Sequence, residues 1–220
     1  MNPLMKIDCV VSDDFQVNTY VLRCRDQAGP CVVIDPGLGP EKLVDLLRSG
    51  SMDPAAVILT HGHVDHIAGV REIGKAFPHT RLYVHRLDAP MLSDPRANLS
   101  ALFSVPCEIG RPDVLVEDGQ IIEEADLRLQ VIHTPGHTPG GISLYCRADG
   151  VVFTGDALFA GSVGRTDFPG GDHEQLITAI DQKLMALPEE TQVLPGHGPG
   201  TTIGWERGHN PFLKRSRSTH

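Results

Sequence analysis

Apolar positions along this chain fall into short, nearly unbroken runs, most of which stop at a turn rich in glycine or proline. KIDCVVSD (residues 6–13) and NTYVLRCR (18–25) have the spacing of two strands, with a hairpin around Asp13 and Asp14. CVVIDPG (31–37) reads as a buried strand running into a Pro-Gly turn, and AAVILT (55–60) as another. Between them Leu43, Leu46 and Leu47 keep a helical period from Pro40 to Ser49, with Gly50 as its stop. Ile67, Val70, Ile73 and Phe77 predict a helix from His66 to Phe77, followed by a strand at RLYVH (81–85). Strands are expected near 120–134, 142–147, 151–154 and 191–194, and a helix from His173 to Leu187. Residues 88–112, punctuated by Pro90, Pro95, Pro106 and Pro112, are the least regular stretch and are expected to form a mobile cover.

Strands and helices alternate in both halves, with no linker, repeat or low-complexity segment. The expectation is one α/β domain over residues 1–220, with two sheets carrying helices on their outer faces. A length of 220 residues with 40% apolar content is enough for one sizeable core. No apolar run approaches the ~18 residues a membrane span needs, and MNPLMKIDCVV lacks the parts of a signal peptide. A cytoplasmic protein with no membrane partner is expected.

Charge and cysteines narrow the chemistry. A net charge of −9 disfavours nucleic acid as partner, because phosphate binding needs clustered Lys and Arg. The basic run Lys214, Arg215, Arg217 is expected to be a solvated tail. Cys9, Cys24, Cys31, Cys107 and Cys146 form no C-x-x-C pair, so neither a disulfide framework nor a thiolate zinc site is indicated.

The polar chemistry sits where the apolar runs end. AAVIL leads into THGHVDH, LQVI into HTPGHTPGG, VVF into TGDALF, and TQVL into PGHGPG. Four such loops at like ends of neighbouring strands converge on one cleft. They carry His61, His63, Asp65, His66, His137, Asp156 and His197. Alone, His137 or His197 reads as a core or loop histidine, and Asp156 as a turn or cap residue. H-x-H-x-D-H is different, since burying four ionisable groups together is costly without something to coordinate. Seven donors exceed the three or four that one zinc takes from a protein, and suit two metals sharing a bridging carboxylate. Imidazole and carboxylate donors without thiolate favour zinc, with iron and manganese also compatible. Spacing alone leaves open which donor serves which metal.

THGHVDH, HTPGHTPGG, FTGDALF and LPGHG, in that order from residue 60 to 197, resemble the metallo-β-lactamase fold superfamily. NTYVL, VVIDPG and GRTDFPGGD (164–172) look most like its hydroxyacylglutathione hydrolase (glyoxalase II) subgroup. The resemblance implies a four-layer αββα sandwich. It implies that His61, His63 and His137 hold one metal, that Asp65, His66 and His197 hold a second, and that Asp156 bridges them. Asp65 and Asp156 then have catalytic roles, while Asp35 and His133 stand behind the ligands. Arg165 would bind a substrate carboxylate at the cleft rim. True zinc β-lactamases usually carry cysteine where Asp156 stands, which argues against that activity.

The resemblance to that subgroup implies metal-dependent hydrolysis of a small-molecule thioester such as S-lactoylglutathione. Larger members bind glutathione largely through an added C-terminal helical region, and only 23 residues follow His197 here, so the thioester preference is not carried over from them and glutathione recognition stays open. The competing readings are a mononuclear iron persulfide dioxygenase using His61 or His63 with His137 and Asp156, a phosphodiester hydrolase, and a non-catalytic metal-binding module.

Overall fold

The computed structural model describes residues 5–12, 14–24, 28–103 and 106–213. Asp13 in the first hairpin and the basic run 214–217 lie outside the described residues.

The first sheet is built from β1 (Met5–Val11), β2 (Asn18–Cys24), β3 (Gly29–Ile34), β4 (Met52–Ile58), β5 (Arg81–His85) and β6 (Val114–Val116), in that spatial order. β1, β2 and β3 pair antiparallel, and β3 through β6 pair parallel. Parallel neighbours need a crossover. Helix α1 (Glu41–Ser49) supplies it between β3 and β4, and α2 (Val64–Ile67) with α3 (Val70–Ala76) between β4 and β5. The second sheet holds β7 (Ile121–Glu124), β8 (Leu127–His133), β9 (Ile142–Cys146), β10 (Val151–Gly155), β13 (Gln192–Pro195) and β14 (Thr201–Thr202). A short hairpin, β11 (Leu158–Phe159) and β12 (Ser162–Val163), precedes α4 (His173–Ala179), and α5 (Ile203–His209) follows β14.

Alternation along the buried strands explains the layering. Tyr20, Leu22, Val32, Ile34, Ala56 and Ile58 face Leu129, Val131, Ile142, Leu144 and Phe153 between the sheets. The intervening Val21, Val33, Val57 and Leu59 pack under Leu43, Leu47 and Ile73 on the outer side of the first sheet. Tyr145, Val152 and Val193 do the same beneath Leu176, Ile180 and Ile203 on the second. Strands covered on both faces must be apolar at every position, hence runs such as CVVI and AAVIL. The result is the four-layer αββα sandwich.

Three local expectations change. The helix foreseen from His66 to Phe77 is two pieces, α2 and α3, because the Gly69 N–H turns away to donate to Pro36 O at 2.8 Å. The helix foreseen to Leu187 is α-helical only to Ala179 and continues as one π turn, Ile180–Leu184. Residues 88–103 are irregular but not loose. Two 3₁₀ turns, Ala89–Ser93 and Ser100–Phe103, bury Met91, Leu92 and Ser100, Leu99 between them is buried as well, and the buried Asn98 amide donates to Met91 O and Cys107 O. The amide closes the segment on itself, while Asn98 O accepts from Val64 N at 2.9 Å and Leu92 packs with the outer-face core, which joins it to the body. No helix among the described residues is long and apolar enough to cross a membrane.

Candidate metal centre

β3 and β4 run parallel in one sheet, and β8, β10 and β13 run in a common direction in the other. Their C-terminal ends therefore deliver Asp35, the 60–66 loop, the 134–141 loop, Asp156 and His197 to one sandwich edge. All seven residues expected as ligands meet there.

His61, His63 and His137 form one trio and Asp65, His66 and His197 another, each with candidate ligand atoms within 4.8 Å of one another. In the first, His63 Nδ1 lies 2.9 Å from His137 Nε2. In the second, His197 Nε2 lies 3.3 Å from His66 Nε2 and 3.4 Å from Asp65 Oδ2. Asp156 reaches both trios: Oδ1 stands 3.4 Å from His66 Nε2, and Oδ2 stands 3.6 Å from His137 Nε2 and 3.5 Å from His197 Nε2. The backbone is fitted closely around it. A Cβ on Gly196 would fall 2.4 Å from Asp156 Oδ1 and 2.7 Å from His66 Cε1.

The partners behind the rings set their tautomers. His137 Nδ1 must carry hydrogen, because its neighbour Arg165 O at 2.8 Å only accepts. Thr60 Oγ1 donates to Asp35 Oδ2 at 2.6 Å and so is free to accept from His61 Nδ1 at 3.1 Å. His66 Nδ1 donates to Asp35 Oδ2 at 2.9 Å. In each ring Nε2 is left to face the cluster, as in metal sites whose outer partners orient the ligand. Asp35 also lies near His61 and His66. Its oxygens, however, are taken by Thr60 and His66 Nδ1, so it braces the ligands.

Electrostatics point the same way. Burial pushes His61 and His63 below the usual imidazole range, His63 to about 3, with the neighbouring imidazoles adding to the effect. Burial also works against a charged His66, yet Asp156, Asp65 and Asp35 hold it well above that range. Asp65 and Asp156 resist burial and stay below the ordinary carboxylate range, chiefly through His66. His61 Nε2, His63 Nε2 and Asp156 Oδ1 are buried without a hydrogen-bond partner. Unpaired polar atoms cost free energy in a dry site. A cation coordinated at this edge answers for them, and imidazole-carboxylate donors suit a divalent metal.

The remaining expected residues lie outside the ligand set. His133 Nε2 hydrogen-bonds Pro139 O at 2.9 Å and its ring stacks on His85, steadying the loop that carries His137. Arg165 is exposed, doubly hydrogen-bonded to Asp167 at 2.7 Å, and lies over the Phe168 ring at 4.0 Å. Sequence reasoning missed Asn18, Thr60 and Asp88. Asn18 Nδ2 donates to Pro195 O and Gly198 O on either side of His197. Only the NTYVL motif hinted at it. Asp88 is wholly buried between two ligand loops.

Comparison with known proteins agrees with this geometry. Residues 12–197 match the metallo-beta-lactamase superfamily. The probable metallo-hydrolase YqgX of Bacillus subtilis is 37% identical, over 90% of this chain and 92% of its own. The hydroxyacylglutathione hydrolase GloC of Haemophilus influenzae is 33% identical, over 95% and 98%. Among solved structures, BLEG-1, described as a B3 metallo-beta-lactamase, superposes with a TM-score of 0.89 at 40% identity, covering 94% of this chain and 99% of that one. TTHA1623, solved in a di-iron-bound form, gives 0.80 at 38% identity, with 94% and 100% coverage. The chain belongs to the metallo-β-lactamase superfamily, as one of its metallo-hydrolases.

Proposed function

We propose that this metallo-hydrolase cleaves carboxylic thioesters, with S-lactoylglutathione as reference substrate, at a two-metal centre. The observation that carries the two-metal reading is the placement of Asp156, with one oxygen on the second trio and the other facing both trios. The first metal would be held by His61, His63 and His137, the second by Asp65, His66 and His197, with Asp156 shared. Divalent ions there, zinc first and iron or manganese equally compatible with the donors, would supply a Lewis acid for the carbonyl oxygen and acidify water toward a pKa of ~7.

The chain's own groups do the rest. Asp65 is held ionised chiefly by His66 and also by His197, so its carboxylate would serve as a charged ligand that orients the attacking water. Asp156 fixes the spacing of the two trios. A thiol of pKa ~8.5 leaves readily as thiolate, so no strong acid has to be placed beside it. That suits an edge where the described groups are bases and already paired cations. Arg165 would engage a substrate carboxylate only by releasing Asp167. The similarity to GloC supports the thioester reading, while BLEG-1 makes β-lactams the necessary counter-substrate.

The test combines elemental analysis of the freshly purified protein with hydrolysis of S-lactoylglutathione, followed by loss of thioester absorbance. About two zinc, iron or manganese ions per chain with thioester turnover is the expected result. One iron per chain with oxygen uptake on glutathione persulfide would move the assignment to a dioxygenase. Turnover of a chromogenic cephalosporin in place of thioesters would move it to lactam hydrolysis.

A further inference from the structure

The metal ligands come from loops far apart in sequence, and something must set the distance between the loops. The two loops that carry the histidines of the first trio meet at one side chain. Asp88 follows β5 and precedes the 3₁₀ turn Ala89–Ser93, where an aspartate ordinarily caps the turn. Its side chain makes no such bond. It turns inward, is fully buried, and accepts three hydrogen bonds. One comes from Gly62 N at 3.0 Å, the backbone unit between His61 and His63. Two come from the residues after His137: Thr138 Oγ1 at 2.7 Å and Gly140 N at 2.6 Å.

The fit is close on both sides. A Cβ on Gly140 would sit 2.6 Å from Asp88 N and Oδ1, so only glycine brings that backbone near enough. A Cβ on Gly62 would meet Met91 Cβ at 2.8 Å, so the segment following Asp88 presses on the first loop as well.

We propose that Asp88 is a positioning residue for the metal centre, a buried strut that joins the His61/His63 loop to the His137 loop and sets the spacing of the three imidazoles. Its three donors are neutral amides and a hydroxyl. A buried carboxylate held only by neutral donors is costly for a fold to keep. A nearby bound cation offsets that cost, so the negative charge belongs with a loaded first trio. Asp35 reaches both trios, holding His66 directly and His61 through Thr60, whereas the contacts of Asp88 go only to the backbone beside His61 and His63 and to the residues after His137. The role of Asp88 is therefore local: it tunes the His61/His63/His137 site and leaves the Asp65/His66/His197 site alone. This inference rests on the metal reading of the centre but not on any substrate, and it is tested without turnover.

The experiment is a titration of chelator-treated protein with cobalt(II), read by visible absorption and by competition with a chromophoric chelator. His63→Ala and His197→Ala first establish the signatures of losing the first and second trio. Asp88→Asn keeps the shape but exchanges a charged acceptor for an amide. It is expected to weaken the cobalt equivalent that His63→Ala removes by at least 10-fold, as for other groups behind metal ligands, and to leave intact the one that His197→Ala removes. Melting of the metal-free protein should fall modestly, because the amide sets one new donor against Gly140 N or against Gly62 N and Thr138 Oγ1, so the site-selective loss of cobalt is the deciding readout. Unaltered cobalt binding in Asp88→Asn, or equal weakening of both signatures, overturns the proposal. If Asp88→Asn does not fold, Thr138→Val decides. That variant deletes one of the three donors and should weaken the same equivalent a few-fold, and unchanged binding there overturns the assignment.

Discussion

Asp35 Oδ2 accepts a hydrogen bond from His66 Nδ1 at 2.9 Å while the other nitrogen of that ring faces His197 and Asp156. The carboxylate sits in the DPG turn at the end of β3, on a non-glycine backbone with φ of 50°. A left-handed residue of this kind costs of order 1 kcal/mol or more and persists where its surroundings demand it. Here they demand an acceptor for Thr60 N, Thr60 Oγ1 and His66 Nδ1 together.

Asp35→Asn should therefore weaken the metal held by Asp65, His66 and His197 by roughly 10–100-fold, because one oxygen becomes a donor facing two other donors. Chelator competition reads this directly. Unchanged affinity, with thermal stability alone altered, would reduce Asp35 to a turn residue.

Gly196 and Gly198 flank His197, and the structure separates their roles. Gly196→Ala would drive a methyl group into Asp156 and His66. It should lower kcat/KM at least 100-fold, since displacements on the ~1 Å scale already cost that much, with a modest change in melting temperature. Gly198 has φ of +73° but nothing within 4 Å of its absent Cβ. Gly198→Ala should cost about 1–2 kcal/mol of stability through the left-handed backbone and leave activity of the surviving folded protein within a few-fold. Reversed effects would mean that the His197 loop is built differently.

How much of this was legible in the sequence depends on how local each signal is. CVVI, AAVIL and VVF read as buried strands because both faces are covered and every position is apolar. The loops after them were legible because H-x-H-x-D-H has no inexpensive non-coordinating explanation. β6, β14 and α5 were missed: three- and two-residue strands carry too little periodicity to register, and they exist through their neighbours' hydrogen bonds. Asp88 was illegible for a related reason. Before Ala-Pro it reads as an ordinary turn cap, and its partners Thr138 and Gly140 are some fifty residues away. Residues 88–112 were read as a mobile cover for their prolines, when among the described residues Asn98 O accepts from Val64 N and Leu92 packs on the body.

The core between the sheets does not depend on the ligand loops. Chelation should abolish turnover yet leave a cooperatively folding protein that melts at lower temperature. A metal at 1,000 times its dissociation constant adds about 4.1 kcal/mol to the native state, and restoring zinc should recover the difference in a melt. Loss of all cooperative folding on chelation would favour a structural metal module over an enzyme.

His85 supplies a pH dependence separable from metal binding. It is 3% exposed and stacked on His133 with ring centroids 4.2 Å apart. Its Nδ1 accepts from Leu87 N. Burial, then the facing His133 and the neighbouring Arg86, push it down to about 4, with Asp118 acting in the opposite direction and Lys183 in the same one. The unfolded chain titrates this group near ~6.5. Between those values the unfolded state binds a proton that the folded state refuses, so stability rises with pH across that window. The contribution is complete above pH ~6.5 and is lost as pH falls toward 4, with an upper bound of about 3 kcal/mol at 1.36 kcal/mol per pH unit. Metal-saturated His85→Gln should show a shallower fall in denaturation midpoint from pH 6.5 to 4 than the parent, and similar stability at pH 8 after allowance for the lost stacking. Parallel acid limbs for the two proteins would show that His85 is not the group being titrated.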